Sequence, residues 1–171
     1  MKKMFLSLLL MATTMVAAQA QKFALIDMEF ILKQIPSYEQ ANKQMENLSK
    51  QWQNAVEAKA NEAKALYENY QKSAATMSAE QRTAKENEII AKEKEAAELR
   101  QTYFGPQGEA MKKRQELISP IQDAIYNAVK EIATQRGYDA VIDRASAQSM
   151  IFASPRIDIS NEVLLKLGYS K

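Results

Sequence analysis

Residues 37–136 constrain the fold of this chain more than any other stretch. Their apolar side chains recur at steps of three and four, which is the spacing of one face of an α-helix. The remaining positions are mostly polar or charged, so the stretch is too hydrophilic to surround a globular core of its own. The pattern predicts two antiparallel arms of a long helical hairpin, with a broad inner face that lacks a partner within the same chain.

Two capping signals predict where the arms begin. Ser37 and Gln40 have the spacing of a capping box, in which both side chains bond to backbone N–H groups at the start of a helix. Ser78 and Gln81 repeat this spacing and predict the start of the second arm, which puts the tip of the hairpin near residues 74–78. Arms of this length reach about 50 Å at a rise of about 1.5 Å per residue.

The apolar seam of the first arm follows the three-four spacing of a coiled coil as far as Trp52. Consecutive steps of four then shift the seam, which indicates a stutter where paired helices unwind locally. Beyond the shift the predicted seam is rich in alanine, so it buries little apolar area per residue. Its members are Val56, Ala60, Ala63, Tyr67, Tyr70, Ala74 and Met77.

The second arm contains the sequence Gly-Pro-Gln-Gly at residues 105–108. A proline with two neighbouring glycines interrupts a helix, and we expect a hinge formed by Gly105, Pro106 and Gly108. A break in one arm beside a continuous partner makes bending less costly than in two matched helices. The alternative interpretation is a local bulge with no mechanical role.

Both ends of the chain predict a small β-containing body, residues 21–36 and 137–171, from which the arm 37–136 projects. Apolar runs at 22–27, 138–143 and 150–153 are typical of short strands. So few short elements make a poor core for a monomer, and we expect this body to form by oligomerisation. The candidate oligomerisation residues are Phe23, Leu25, Ile26, Val141, Ile142, Ile151 and Phe152.

The first twenty residues predict a secretory signal peptide. Lys2 and Lys3 precede an apolar run. The small residues Ala18 and Ala20, separated by one residue, form a cleavage site after Ala20. The alternative, an uncleaved membrane anchor, is disfavoured because the run is shorter than the roughly 20 residues that a spanning helix needs. The mature chain is therefore expected outside the cytoplasmic membrane of a bacterium, with no stable membrane insertion.

Composition excludes several classes of function. The chain has no cysteine and no histidine, which removes thiolate nucleophiles, the usual zinc ligands and the usual general base near neutral pH. We therefore expect no enzyme, no metal and no cofactor. Of 23 basic residues, Lys2 and Lys3 leave with the signal peptide, and the remaining 21 balance 21 acidic residues. This neutrality argues against nucleic acid as a partner.

The order of these segments resembles the Skp/OmpH family of periplasmic chaperones for outer-membrane proteins. The likeness spans the mature chain: a strand directly after a signal peptide, a long charged hairpin, and a helix that leads into a second strand. The residues that carry it are KFALID at 22–27, the helical run 121–137, YDAVID at 138–143 and DISNEVL at 158–164.

The resemblance implies a mainly α fold with a small β body, in which three chains form a homotrimer. Their hairpins would surround a cavity that holds unfolded outer-membrane proteins without ATP. Lipopolysaccharide contacts have been proposed in this family from clustered basic residues, but the arms here are balanced, and no residue is assigned to such contacts. The nearest cluster is Lys112, Lys113 and Arg114. A structural coiled-coil spacer or adaptor of the cell envelope, bound to one folded partner, is the alternative function.

Aromatic and methionine side chains along the arms are the candidate client-contact residues, because such surfaces adapt to varied polypeptides. The alternative interpretation is that they join the two arms to each other. The seam spacing favours joining for Met45, Leu48 and Leu99, leaves both roles open for others, and does not assign the side on which Trp52 lies. The contact candidates are Trp52, Tyr67, Tyr70, Tyr103, Phe104 and Met111.

Overall fold

The computed structural model describes residues 21–147 and 149–169, so the predicted signal peptide and its cleavage site lie outside the described residues. The described residues are mainly α-helical with one small sheet, which confirms the predicted fold class. The elements in order are β1 (Phe23–Ile26), α1 (Met28–Lys33), α2 (Pro36–Ser73), α3 (Ala79–Phe104), α4 (Glu109–Arg136), β2 (Ala140–Asp143) and α5 (Ser160–Lys166). None of the helices within the described ranges is long and apolar enough to cross a membrane.

Helix α2 forms one arm of the hairpin, and its start differs from the sequence prediction. The N-cap residue is Ile35 and the helix begins at Pro36, so the predicted capping box of Ser37 and Gln40 is wrong. A proline suits the first helical position because its fixed φ is helical and the N–H that it lacks would have no intrahelical partner there. The 38 residues of α2 extend about 57 Å.

The tip of the hairpin is a short 3-10 turn, Ala74–Thr76, followed by the capping box that starts α3. The backbone N–H of Gln81 donates to Ser78 Oγ at 3.2 Å, and the backbone N–H of Ser78 donates to Gln81 Oε1 at 2.9 Å. This prediction is confirmed. Helix α3 then returns alongside α2, and α4 continues along the first part of α2 into the body.

The body brings the two ends of the chain together. Strands β1 and β2 pair in parallel, with Leu25 opposite Ile142, and the backbone N–H of Ile159 donates to the carbonyl of Leu25 at 2.9 Å. Strand β1 is therefore bonded along both edges. Its residues Ala24 and Ile26 pack in a core formed with α1, α4 and α5. The core also contains Ile31, Leu32, Ile35, Ile125, Ala128, Ile132, Ile159, Val163 and Leu164.

The predicted strand at residues 150–153 is wrong. These residues are irregular, and the side chains of Ile151 and Phe152 are 101% and 84% exposed. The edge of β1 opposite β2 is occupied by a bridge between Leu25 and Asp158, so the apolar run has no place beside β1. The outer edge of β2 has no partner strand within the described residues, so a free edge alone does not make an apolar run a strand.

A polar network ties residues near both ends of the chain. The guanidinium of Arg144 donates to Asp27 Oδ2 at 3.0 Å and lies 3.3 Å from Asp158 Oδ2. Ser160, which is buried, accepts the backbone N–H of Asp27 at 2.8 Å and donates its hydroxyl to Asp158 Oδ1 at 2.6 Å. The hydrogen bond from the Phe30 N–H lowers the pKa of Asp27, and Arg144 adds to that effect against the opposing effect of burial.

Candidate functional site: the helical arms

The break between α3 and α4 is tightly packed. The N–H of Gly105 donates to the carbonyl of Gln101, and the N–H of Gly108 donates to the carbonyl of Gly105, both at 2.9 Å. A Cβ atom on Gly108, which is buried, would lie 2.7 Å from the carbonyl oxygen of Tyr103. Glycine is needed here because the backbone segments approach closely. The predicted interruption is confirmed, and the role of residues 105–108 as a hinge stays a prediction.

Three contact candidates meet directly beside this break. The ring of Trp52 on α2 stacks on that of Tyr103 on α3, with centroids 5.5 Å apart and planes at 18°. Phe104 meets Trp52 edge-on, with centroids 6.3 Å apart and planes at 81°. Trp52 therefore lies between the arms, a position that the seam spacing did not assign. Such aromatic pairs add about 0.5–1.5 kcal/mol to the burial of their surface.

The other three contact candidates lie away from this cluster. Tyr70 is half-buried and donates its hydroxyl to the carboxylate of Glu86 on the opposite arm, which raises the pKa of Tyr70. Tyr67 is 48% exposed, and Met111, beyond the break, is 54% exposed. Tyr70 thus joins the arms through a polar contact, whereas Tyr67 and Met111 are accessible from solvent.

The seam beyond Trp52 differs from the predicted one. Val56 and Ala63 are buried as expected, but Ala60 and Tyr67 are exposed. Lys59 and Leu66 take their places in the seam as half-buried residues. The stem of a lysine can cover apolar surface while its ammonium group reaches solvent or an acid, and Lys59 Nζ lies 3.0 Å from Glu62. A seam search restricted to apolar residues could not detect such a position.

A cleft that the sequence did not indicate opens between the arms beside Phe104. It has a volume of about 440 Å³. Val56 and Phe104 give it apolar surface, and polar side chains from both arms line the remainder. The lining residues are Gln53, Val56, Glu57, Arg100, Gln101, Phe104 and Gly105. The cleft lies at the level where α2 is continuous and the opposite arm is interrupted.

The candidate oligomerisation residues divide into two groups. Leu25 and Ile26 are buried within the single chain, and Val141 is half-buried against the core. The side chains of Phe23, Ile142, Ile151 and Phe152 are exposed. These four are accessible to another chain, whereas Leu25, Ile26 and Val141 already stabilise the fold of the monomer.

A family model described as outer membrane protein (OmpH-like) matches residues 22–167. The chain belongs to this OmpH-like family. The match covers β1, the whole hairpin and the return to the body, and it confirms the resemblance found in the sequence.

Two relatives of this OmpH-like chain are named as chaperones. It is 31% identical to the chaperone protein Skp of Yersinia enterocolitica, over 86% of this chain and 87% of the relative. It is 30% identical to the chaperone protein Skp of Pectobacterium atrosepticum, over 93% of this chain and 92% of the relative. The similarity therefore includes both the body and the arms.

A solved structure shares the fold of this OmpH-like chain. The crystal structure of a candidate outer membrane chaperone (OmpH-like) from Caulobacter crescentus CB15 superposes with a TM-score of 0.65. The alignment covers 86% of this chain and 83% of that chain at 12% identity. At this identity the likeness concerns the fold alone.

The basic cluster at 112–114 is largely compensated in the structure. Lys112 lies 3.0 Å from Glu109, and Lys113 lies 2.9 Å from Glu116. Since both ammonium groups are paired within one turn of α4, the cluster presents less positive charge than its sequence suggests. This pairing does not favour a site for a strongly anionic ligand.

Proposed function

We propose that this OmpH-like chain is an ATP-independent periplasmic holdase that binds unfolded outer-membrane proteins between the arms of a homotrimer. One observation carries the proposal: a hairpin about 57 Å long presents exposed apolar side chains along its length instead of burying them in a core. Membership of a family whose relatives are named chaperones supports it. Weak contacts spread over such a surface suit a client that must be released without an energy source.

The first test is suppression of aggregation. An outer-membrane porin unfolded in urea is diluted into buffer with or without the mature chain, and light scattering is followed over time. We expect scattering to fall to a minimum near one assembly per porin. Continued aggregation at a several-fold molar excess of the chain would contradict holdase activity.

The homotrimer is proposed from exposed apolar residues of the small sheet. Phe23 and Ile142 remain 44% and 41% exposed although they belong to the two paired strands of the body. A second and third chain packed on these two residues would bury them and enlarge a core that is small for independent stability. Exposed Ile151 and Phe152 provide further apolar surface nearby in the chain.

The oligomeric state is tested by multi-angle light scattering at micromolar concentration. We expect the mass of three mature chains, and we expect Ile142→Glu to yield mainly monomer because it places a charge in the interface. Tyr67→Glu is the control, since it introduces the same charge at an exposed apolar residue on the arm. A monomeric mass for the wild-type chain would contradict the proposal that three chains share one body.

The periplasmic location is proposed from residues 1–20. It is tested by fractionating cells that express the full chain and by sequencing the N-terminus of the exported product. We expect the mature protein to start at Gln21 and to be released with the soluble periplasmic fraction.

Crosslinking in cells separates the holdase from the alternative of an envelope spacer. A holdase should crosslink to a range of outer-membrane precursors, whereas a spacer should crosslink to one folded partner. A single dominant folded partner would therefore favour the spacer.

A further inference from the structure

The two sides of helix α3 differ in a regular way. Each of the seam residues Ile89, Ala96 and Tyr103 is followed by an exposed apolar residue and preceded by a polar one. The following residues are Ile90, Ala97 and Phe104, and the preceding residues are Glu88, Glu95 and Thr102. Ile90 is 60% exposed, so the apolar series is accessible to solvent.

The same side of the hairpin carries exposed apolar residues on α2 as well, although charged residues lie between them. One step past a seam residue rotates a side chain by about 100°, and in two antiparallel helices this step leads to the same side of the pair. On α2 the step from Lys59 leads to Ala60 and the step from Leu66 leads to Tyr67, both exposed. The steps from Val56 and Ala63 lead to the charged residues Glu57 and Lys64. We define the hydrophobic side of the hairpin as Ala60, Tyr67, Ile90, Ala97 and Phe104.

The opposite side carries ion pairs, and its apolar residues are exposed alanines such as Ala58, Ala65 and Ala91. Glutamates that precede seam residues bind lysines one turn earlier, at 2.6 Å for Lys85 with Glu88 and 2.8 Å for Lys92 with Glu95. Lys92 also lies 3.9 Å from Glu62 across the two arms. We define this ion-paired side as Glu62, Glu88 and Glu95 together with the ammonium groups of Lys59, Lys85 and Lys92 that reach these glutamates. It has none of the large exposed apolar side chains of the hydrophobic side, such as Tyr67, Ile90 and Phe104, so it offers less surface to an apolar segment.

We propose that the hydrophobic side of the hairpin is the client-contact side, and that the cleft beside Phe104 receives an aromatic side chain of the unfolded outer-membrane polypeptide. This inference rests on the proposed holdase function. It assigns client contact to one side of the arm and gives that side a defined subsite.

The spacing of the hydrophobic side favours an extended polypeptide over another helix. A helical partner, such as the arm of a second copy, packs against two apolar positions per seven residues. Helix α3 offers one such position in each seven on this side, and Glu93 and Arg100 lie between them. An extended unfolded polypeptide fits this surface better. Its apolar residues can contact the separated apolar patches, and its unpaired backbone groups can bond to the polar side chains between them.

The lining of the cleft matches an aromatic ring. Val56 and Phe104 supply apolar contact, and the guanidinium of Arg100 can bind the face of a ring. Gln53 and Gln101 can bind a tyrosine hydroxyl or an indole N–H at the rim. Transmembrane β-barrels carry girdles of aromatic residues at both membrane interfaces, so their unfolded chains present such rings repeatedly.

The absence of cysteine from the sequence permits a matched crosslinking test. Ala97 on the hydrophobic side and Ala91 on the opposite side are exposed alanines of the same helix. The variants Ala97→Cys and Ala91→Cys, each labelled with a benzophenone maleimide, are mixed with a urea-unfolded porin and irradiated. Crosslinked porin peptides are then identified by mass spectrometry.

We expect the Ala97→Cys variant to crosslink several-fold more porin than Ala91→Cys, through peptides rich in phenylalanine, tyrosine and tryptophan. Equal crosslinking of the two variants, with aggregation still suppressed, would overturn the assignment of one side and leave the holdase function intact. If neither variant nor the wild-type chain binds porin, both proposals fail together.

A second pair of variants tests the cleft. Gln53→Trp fills it, whereas Asn54→Trp adds the same ring to an adjacent exposed residue that does not line it. We expect Gln53→Trp to weaken binding of fluorescently labelled porin about five-fold, since one aromatic contact in a half-open site is equivalent to about 1 kcal/mol. Unchanged affinity of Gln53→Trp, or equal loss in both variants, would overturn the subsite.

Discussion

The indole ring of Trp52 and the phenol ring of Tyr103 stack at 5.5 Å and connect the two arms beside the break between α3 and α4. Because Trp52 is the sole tryptophan of the chain, its emission reports this contact without any added label. The stack therefore provides both an energetic link between the arms and a means to measure it.

Loss of the ring at residue 103 should loosen the arms at this level. We expect Tyr103→Ala to lower the free energy of unfolding by about 1 to 3 kcal/mol and to shift the emission of Trp52 to longer wavelength, because the indole becomes hydrated. Tyr103→Phe is the control, since it retains the stacked ring. Urea denaturation followed by circular dichroism gives the stability. An unshifted emission in Tyr103→Ala would contradict the stack.

Because the break between α3 and α4 is tightly packed, one added methyl group there should lower the stability of the chain. We expect Gly108→Ala to destabilise the chain by about 1 to 3 kcal/mol, because its Cβ atom would overlap the carbonyl oxygen of Tyr103. Gln107→Ala, at the neighbouring exposed residue, should be close to neutral. Thermal unfolding measures both variants, and equal midpoints for the two would argue against close packing.

Acid should weaken the contribution of Asp27 to stability. Its pKa is lowered below the usual 3.8, chiefly by the Phe30 N–H, so the folded state favours the carboxylate. This contribution is complete above the usual pKa and is lost as the pH falls through the lower folded-state value. Asp27→Asn should therefore be less stable than wild type near pH 7, and the gap should narrow near pH 3. Thermal midpoints across this range provide the test, and a constant gap would contradict the lowered pKa.

Removal of the capping box at the tip should destabilise mainly the first turns of α3. Ser78→Ala should reduce stability by about 1 kcal/mol and increase hydrogen exchange in the first turns of α3, because the N–H of Gln81 loses its acceptor. Ser78→Asp should retain the cap. Exchange measured by mass spectrometry should change near the tip while the body remains protected. Uniform loss of protection throughout the hairpin would argue that the tip does not unfold separately.

Much of the hairpin could be predicted because its signals are local. Ser78 with Gln81 fixes a helix start, and Gly137 ends α4 in the left-handed conformation, with φ of 66°, that glycine adopts readily. The start of α2 differs from the prediction because Ser37 has the spacing of a cap, whereas Pro36 already fits the first turn. Pro36 and the spacing of Ser37 with Gln40 each predict a helix start, and the sequence alone does not show which of the two is used.

The contact surface was harder to predict because it depends on two helices at once. The spacing predicts Tyr67 in the seam, whereas in the structure Leu66 lies in the seam and Tyr67 is exposed. Trp52 could be placed only when Tyr103 on the other arm was known. Residues 150–153 pair with neither β1 nor β2, although their composition predicts a strand. Such features depend on contacts between distant segments, and the periodicity of one segment does not predict those contacts.

The parallel pairing of β1 with β2 has a consequence for the order of folding. More than a hundred residues separate Ile26 from Ala140, so this sheet closes a very long loop. Loop closure is slow when the intervening chain is disordered, and helical contacts between neighbouring residues form much faster. We expect the hairpin to form first and to bring β1 and β2 together. The two arms would then hold the ends of the chain close together while the body forms.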